Sequence, residues 1–160
     1  MEKEHHYQAT IIWTGNTGSG TKSYTSYQRT HTLSIVNKVP ILCSSDPSFR
    51  GDASRHNPEE LFLASLSSCH MLWYLHLCAD HKINVVEYRD NARGTMIETN
   101  QGGHFTEVLL QPVVTILDES QLAQAYALHQ EANRLCFIAN SCNFPVRHAP
   151  TALAAKIEVD

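Results

Sequence analysis

The sequence predicts a single α+β domain, residues 1–160, in which antiparallel sheets pack on two core helices. Segments with the two-residue alternation of strands occur before, between and after two long segments with helical periodicity. Clusters of glycine, proline and asparagine separate these segments. The length suits one domain with its own hydrophobic core and is short for two. The order strands, helix, hairpin, helix, strand is typical of the α+β class.

The first part of the chain is predicted to form a sheet. Residues 5–13 and 22–37 have the composition of strands, and the turn-forming run GNTGSG from residue 15 to residue 20 separates them. We expect Pro40 to Cys43 to extend this sheet. Residues 44–56 are polar, contain a proline and a glycine, and are predicted to form a surface loop.

A long helix is predicted next, from Pro58 to about Asp80. Asn57 suits the N-cap, Pro58 suits the first helical position, and Glu60 completes an arrangement that resembles a capping box. The stretch from Leu61 to Cys78 approaches membrane-spanning length, but it contains three serines and two histidines. We therefore interpret it as a buried core helix.

The second half predicts a hairpin, a second helix and a closing strand. Strands are expected near residues 84–98 and 104–117, with Pro112 marking a bulge or an edge. The second helix is predicted from Asp118 to about Ala139. The tail, residues 152–160, is predicted to close the sheet.

Composition narrows the classes of function. The net charge is −4 with ten neutral histidines, and the basic residues are scattered. A nucleic acid or an anionic membrane would require a basic stripe, so neither is expected as a partner. The cysteines are odd in number and irregularly spaced, at positions 43, 69, 78, 136 and 142. This pattern favours a reducing, cytoplasmic location over a disulfide-stapled secreted scaffold.

Three residues are candidates for thiol chemistry. Cys69 lies about three turns inside the first predicted helix, where it is either a small core residue or a nucleophile. It is too deep for the helix N-terminus to activate it, so a cation must do so, and Arg29 is the candidate. Arg29 either reaches solvent at a strand end or pairs with an anion. Glu59 either serves the helix start or holds Arg29, since Glu60 is the better capping residue.

No resident cofactor or metal is predicted. Cysteines and histidines cluster between residues 69 and 81, but no pair has the C-x-x-C or H-x-x-x-H spacing that places two metal ligands on one helical face. The phosphate-binding loop, the dinucleotide fingerprint and the G-x-S-x-G motif do not occur in the sequence.

The run NPEELFLASLSSC, residues 57–69, resembles the signature of the OsmC/Ohr family, the osmotically inducible and organic hydroperoxide resistance proteins. Glu59 and Cys69 have the family's spacing, CFIANS from Cys136 resembles its second cysteine element, and Arg29 matches the position of its arginine. Phe137 stands where the family commonly has proline, and Cys142 competes for the role of second cysteine. These departures indicate an OsmC-like subgroup.

The resemblance implies an intertwined homodimer and a thiol-dependent peroxidase for organic hydroperoxides. Cys69 would attack the peroxide and Cys136 would form a disulfide with it, which an external dithiol or a lipoylated protein would reduce. Arg29 would favour the thiolate, and Glu59 would orient Arg29 through a bidentate pair. The apolar neighbours Phe62, Leu66 and Trp73 suit an organic substrate. A non-catalytic redox sensor or small-molecule carrier is the alternative, and an acyl-transferase would need a histidine base beside Cys69.

Overall fold

Short strands that pair antiparallel form the N-terminal part of this computed structural model, which describes residues 2–156. The described residues form two compact units whose boundary falls between Leu61 and Phe62. In the first unit, the strands pair in the order β1-β2-β3. Their bounds are β1 Thr10–Trp13, β2 His31–Ser34 and β3 Ile41–Cys43.

The first two strands are shorter than predicted, and this changes the setting of Arg29. Strand β2 begins at His31, so Arg29 lies in the loop before it and not on an alternating strand face. Loop contacts compete with the ladder here: the indole Nε1–H of Trp13 donates to the carbonyl of Gln28 at 2.9 Å. The strand predicted over residues 22–37 is therefore wrong at the position of Arg29.

Helix α1, Pro58–Asp80, has the predicted bounds. The capping box forms, because the amide of Glu60 donates to Asn57 Oδ1 at 2.8 Å and the amide of Asn57 donates to Glu60 Oε2 at 3.3 Å. Among the described residues, α1 is long and apolar enough to cross a membrane by length and composition. It nevertheless buries only one stripe, at four-residue spacing: Leu66, His70, Tyr74 and Cys78.

The second unit contains two three-stranded sheets, ordered β4-β7-β9 and β5-β6-β8. Each strand of the predicted hairpin is split between these sheets. The carboxylate of Asp90 fixes one break, since it accepts the amide of Gln111 at 2.7 Å and the hydroxyl of Ser67 on α1 at 2.6 Å. The bounds are β4 Val85–Asp90, β5 Arg93–Thr99, β6 Gly102–Leu110, β7 Pro112–Ile116, β8 Val146–His148 and β9 Thr151–Ala154.

The expectation of purely antiparallel pairing is wrong for the C-terminal strands. Strand β8 pairs parallel with β6, and β9 pairs parallel with β7. The long connection through the second helix makes this possible, because parallel strands need a crossover. Strand β9 confirms part of the predicted closing strand, and residues 157–160 of that prediction lie outside the described residues.

Helix α2, Leu122–Leu135, is shorter than predicted at both ends, with single 3₁₀ turns at Glu119–Gln121 and Ala139–Ser141. Two apolar clusters hold the second unit together. One joins α1 and α2 to β7 through buried residues that include Tyr74, Cys78, Val114, Ile116, Ala125 and Ala132. The other joins α1 to β6 through Leu66, Val108 and Leu110. The fold is thus a mixed α+β arrangement of sheets and two main helices.

Candidate functional site

Two cysteines from the two helical segments meet in the second unit. Cys69 is half-buried on α1, Cys136 is only 1% exposed, and the Cys69 thiol lies close enough to Cys136 to act on its pKa. Burial, reinforced by the neighbouring Cys69 thiol, raises the pKa of Cys136 to about 12. Cys136 is therefore a protonated thiol at neutral pH, and Cys69 is the sulfur of the pair that a dissolved molecule reaches more easily.

Cys136 does not belong to the second helix, contrary to the prediction. Helix α2 ends at Leu135, and Cys136 has the extended dihedrals φ −66° and ψ 108°. The side-chain amide of Asn140 donates to the carbonyl of Arg134 at 3.0 Å and so satisfies a carbonyl at the helix end. The amide of Ala139 donates to Cys136 Sγ at 3.4 Å. The turn after α2 thus holds Cys136 in place as a neighbour of Cys69.

Cys142 lies elsewhere. Its thiol donates to the carbonyl of Ile138 at 3.3 Å, and its side chain packs in the apolar cluster with Leu66 and Val108. Burial raises its pKa. Of the two candidate partners, the structure brings Cys136 to Cys69.

An aromatic pair borders the two thiols on the exposed side. Trp73, one turn after Cys69, contacts Phe137 edge-on with ring centroids 5.4 Å apart. Phe137 is 64% exposed. A shallow cavity of about 210 Å³ opens beside this pair and is lined by Leu72, Trp73 and His76. The other two predicted apolar neighbours, Phe62 and Leu66, belong to the cluster around Val108 and Leu110.

Arg29 and Glu59 both belong to the first unit, where the guanidinium has its own partners. Its Nη1 donates to the carbonyl of Tyr27 at 2.6 Å and its Nη2 to that of Tyr24 at 2.7 Å. The same group lies 4.3 Å from the centroid of the Tyr24 ring and 4.2 Å from that of Tyr27. Glu59 Oε2 is buried and has no hydrogen-bond partner among the described residues. The expected bidentate Arg29–Glu59 pair is therefore not formed within the described chain, because two carbonyls and two rings already satisfy Arg29.

A histidine cluster is the feature that the sequence analysis missed. His70 of α1 and His129 of α2 are both 0% exposed, and His70 Nε2 lies 3.0 Å from His129 Nδ1. The ring of Tyr74 stacks on His129 at 3.8 Å, and His148 of β8 lies 5.7 Å from His70 between centroids. Burial lowers the pKa of His70 to about 4 and that of His129 to about 3. His70 thus points into the core, so it is not a general base on Cys69.

The signal for this cluster was present in the sequence but weak. His70 falls in the four-residue stripe of α1, and His129 is followed at three and seven residues by Ala132 and Cys136. Pairing the two required knowledge of which helix faces meet. Among residues 2–156, no group of three or more histidine, cysteine or acidic side chains has the geometry to hold a metal ion.

Comparison with known proteins identifies the fold. The OsmC-like protein family matches residues 51–149. A solved OsmC-like protein of unknown function from Vibrio cholerae O1 biovar eltor is 31% identical, with a TM-score of 0.83 over 92% of this chain and 99% of that chain. No curated protein matches the sequence.

More distant structures include two organic hydroperoxide resistance proteins. The one from Elizabethkingia anophelis has a TM-score of 0.68 and 16% identity, covering 97% of this chain and all of that chain. The one from Legionella pneumophila has a TM-score of 0.69 and 17% identity, covering 95% of this chain and 99% of that chain. At this identity the likeness shows the fold alone. The family match and the Vibrio structure together show that the chain belongs to the OsmC-like protein family.

Proposed function

We propose that this protein is a thiol-dependent peroxidase that reduces organic hydroperoxides to alcohols. The proximity of Cys69 to the buried Cys136 is the observation that carries the proposal. One thiol is half-buried on a helix and the other is buried beyond a helix end, which suits a nucleophile and a second thiol that traps its oxidised form. The organic hydroperoxide resistance proteins of the same fold agree with this role.

The first step oxidises Cys69. Its thiolate attacks the terminal oxygen of the hydroperoxide, the O–O bond breaks, and the leaving alkoxide takes a proton to become the alcohol. Cys69 is left as a sulfenic acid. Cys136 is protonated at neutral pH, so it remains a thiol while Cys69 is being oxidised.

The second step forms the disulfide. The sulfur of Cys136 attacks the sulfenic sulfur of Cys69, the S–O bond breaks, and the hydroxyl leaves as water with the thiol proton. An external dithiol or a lipoylated protein then reduces the disulfide by exchange and releases both thiols. The chain itself needs no resident cofactor in this cycle.

Arg29 and Glu59 are proposed to complete the site in a cytoplasmic homodimer. Glu59 Oε2 is a buried acceptor without a donor among the described residues, which is costly for an isolated carboxylate. A donor from a second copy would remove that cost. The first sheet also exposes Ile11, Ile12 and Leu42, an apolar surface suited to a partner of the same kind.

Consumption of cumene hydroperoxide with a dithiol reductant tests the proposal. We expect Cys69→Ser to abolish turnover, and Cys136→Ser to allow oxidation of Cys69 while losing the disulfide. Cys142→Ser is the matched control and should keep both. Full activity of Cys69→Ser, or a Cys69–Cys142 crosslink in peptide maps, would overturn the assignment.

The same assay separates the alternative of a redox sensor or small-molecule carrier. Such a protein would form the Cys69–Cys136 disulfide with a general thiol oxidant and would consume no hydroperoxide in repeated cycles.

A further inference from the structure

The buried histidine pair joins the two helices that lead to the two cysteines. His70 is the residue after Cys69 on α1, and His129 lies on α2 seven residues before Cys136, which follows the helix end. The 3.0 Å contact between the two rings therefore links α1 to α2 at the residue after Cys69.

The contact is polar, although its surroundings are apolar. A neutral pair shares one N–H, so one further donor and one further acceptor stay unsatisfied whichever tautomer forms. These are His70 Nδ1 and His129 Nε2, which have no partner among the described residues. Unsatisfied buried groups cost stability, so an apolar pair of similar volume would serve packing as well or better.

What the hydrogen bond adds is direction. Apolar side chains tolerate a slide of one helix along another, whereas an N–H···N bond holds one distance and one angle. Stacking of Tyr74 on His129, with ring planes 9° apart, fixes the second ring as well. The edge contact of Trp73 with Phe137, the residue after Cys136, is a second link between α1 and the segment that carries this cysteine.

We propose that His70 and His129 are positioning residues for disulfide formation, whose hydrogen bond sets the register of α1 on α2 and thereby holds Cys136 against Cys69. A disulfide needs an S–S distance of about 2.05 Å and a Cα separation of roughly 4.4–6.8 Å. A slide of about 1 Å between the helices therefore slows ring closure markedly. The inference rests on the proposed redox use of the cysteine pair and not on the identity of the oxidant.

Substitutions at His129 distinguish a role in positioning the cysteines from a role in core packing. His129→Leu keeps volume and removes the bond, whereas His129→Asn places an amide where Nδ1 lies and can keep it. The matched control is His81→Leu, because His81 directly follows α1 and its Nδ1 makes an exposed contact with α2, 3.1 Å from Gln124 Nε2.

The measured quantity is the fraction of protein that carries the Cys69–Cys136 disulfide at equilibrium with defined mixtures of reduced and oxidised glutathione. This measurement needs no hydroperoxide. We expect His129→Leu to lower the equilibrium constant for disulfide formation about tenfold, equal to about 30 mV for this two-electron couple. His129→Asn should recover most of the loss, and His81→Leu should resemble the wild type. Stopped-flow mixing with hydroperoxide should show a slower second step and an unchanged oxidation of Cys69.

Equal equilibrium constants for the wild type and His129→Leu would overturn the inference, as would an equal loss in His81→Leu. A wild type that forms the disulfide in glutathione but ignores hydroperoxides would instead refute the peroxidase proposal and leave the positioning role intact. Measured stability adds a further check: a His129→Leu protein that is as stable as the wild type, yet closes the disulfide poorly, supports positioning over general packing.

Discussion

Mild acid should destabilise this fold through His70 and His129. Both side chains are buried, and burial lowers their pKa values to about 4 and about 3. His148, whose own pKa is lowered by burial, also opposes a charge on His70, and both His70 and His148 oppose a charge on His129. In the unfolded chain both histidines are exposed and titrate near pH 6.5.

The sign follows from proton binding. Between pH 6.5 and pH 4 the unfolded chain binds protons that the folded chain does not bind. The contribution of these histidines to the free energy of unfolding is therefore fully present above pH 6.5 and decreases as the pH is lowered. Each histidine contributes a loss of up to about 1.4 kcal/mol per pH unit. Because the unfolded imidazole is only half protonated at pH 6.5, the loss between pH 6.5 and pH 5 is about 1.6 kcal/mol for each. For both residues this is about 3 kcal/mol, a large share of the roughly 5–15 kcal/mol typical of a domain.

Neighbouring groups do not offset this loss. Tyr74, Tyr88 and Cys78 face the cluster or each other, and burial raises their pKa values, so they stay neutral throughout this range. Hydrogen bonds from serine amides and hydroxyls lower the pKa values of Asp46 and Asp118, and those carboxylates matter only at still lower pH.

Urea unfolding at pH 5, 6, 7 and 8, at one fixed protein concentration, measures the effect. We expect the free energy of unfolding to fall below pH 6.5 in the wild type, and about half of this pH dependence to disappear in His129→Leu. The control is His104→Gln, which removes an exposed histidine of β6 and should leave the slope unchanged. Identical slopes in the wild type and His129→Leu, or greater stability in acid, would refute the reasoning.

Two further outcomes are expected from the first unit. On the proposal that its guanidinium favours the thiolate, Arg29→Ala should slow alkylation of Cys69 at pH 7 by about tenfold or more, with little change at pH 10. The reason is that an opposite charge within about 4–6 Å lowers the pKa of a thiol by roughly one to three units. Arg29→Lys should recover only part of the rate, and alkylation profiles equal to the wild type would remove Arg29 from the site. Light scattering at micromolar concentration should show a dimer, and Ile12→Asp on the exposed apolar sheet should weaken it, whereas a monomeric wild type would contradict the proposal.

Helix α1 was predictable from the sequence because its signals are local. The capping box of Asn57 and Glu60 lies within four residues, and proline at the first position fixes the start. The apolar periodicity then carries the helix to Asp80. The spacing of Glu59 and Cys69 follows from the same segment.

The features that the sequence did not predict correctly depend on contacts between segments that are distant along the chain. The parallel pairing of β8 with β6 and of β9 with β7 depends on how the connection through α2 returns the chain to the sheets. Strands of three and four residues are also too short to show a clear alternation in the sequence. His70 and His129 are 59 residues apart, and each alone resembles an ordinary core histidine. The loop setting of Arg29 depends on carbonyls of Tyr24 and Tyr27 that compete with a strand ladder.

The backbone around the two cysteines divides their roles. Cys69 lies inside a continuous helix, where any displacement would break the hydrogen bonds of a full turn. Cys136 lies just beyond a helix end, so it is the residue able to move when a thiol contact contracts to a covalent bond. Proline after Cys136 would restrict that residue to extended dihedrals. Cys136 is already extended at φ −66° and ψ 108° with Phe137 following. Phe137 therefore preserves the extended dihedrals of Cys136 without restricting them, and its edge contact with Trp73 links the segment of Cys136 to the helix that carries Cys69.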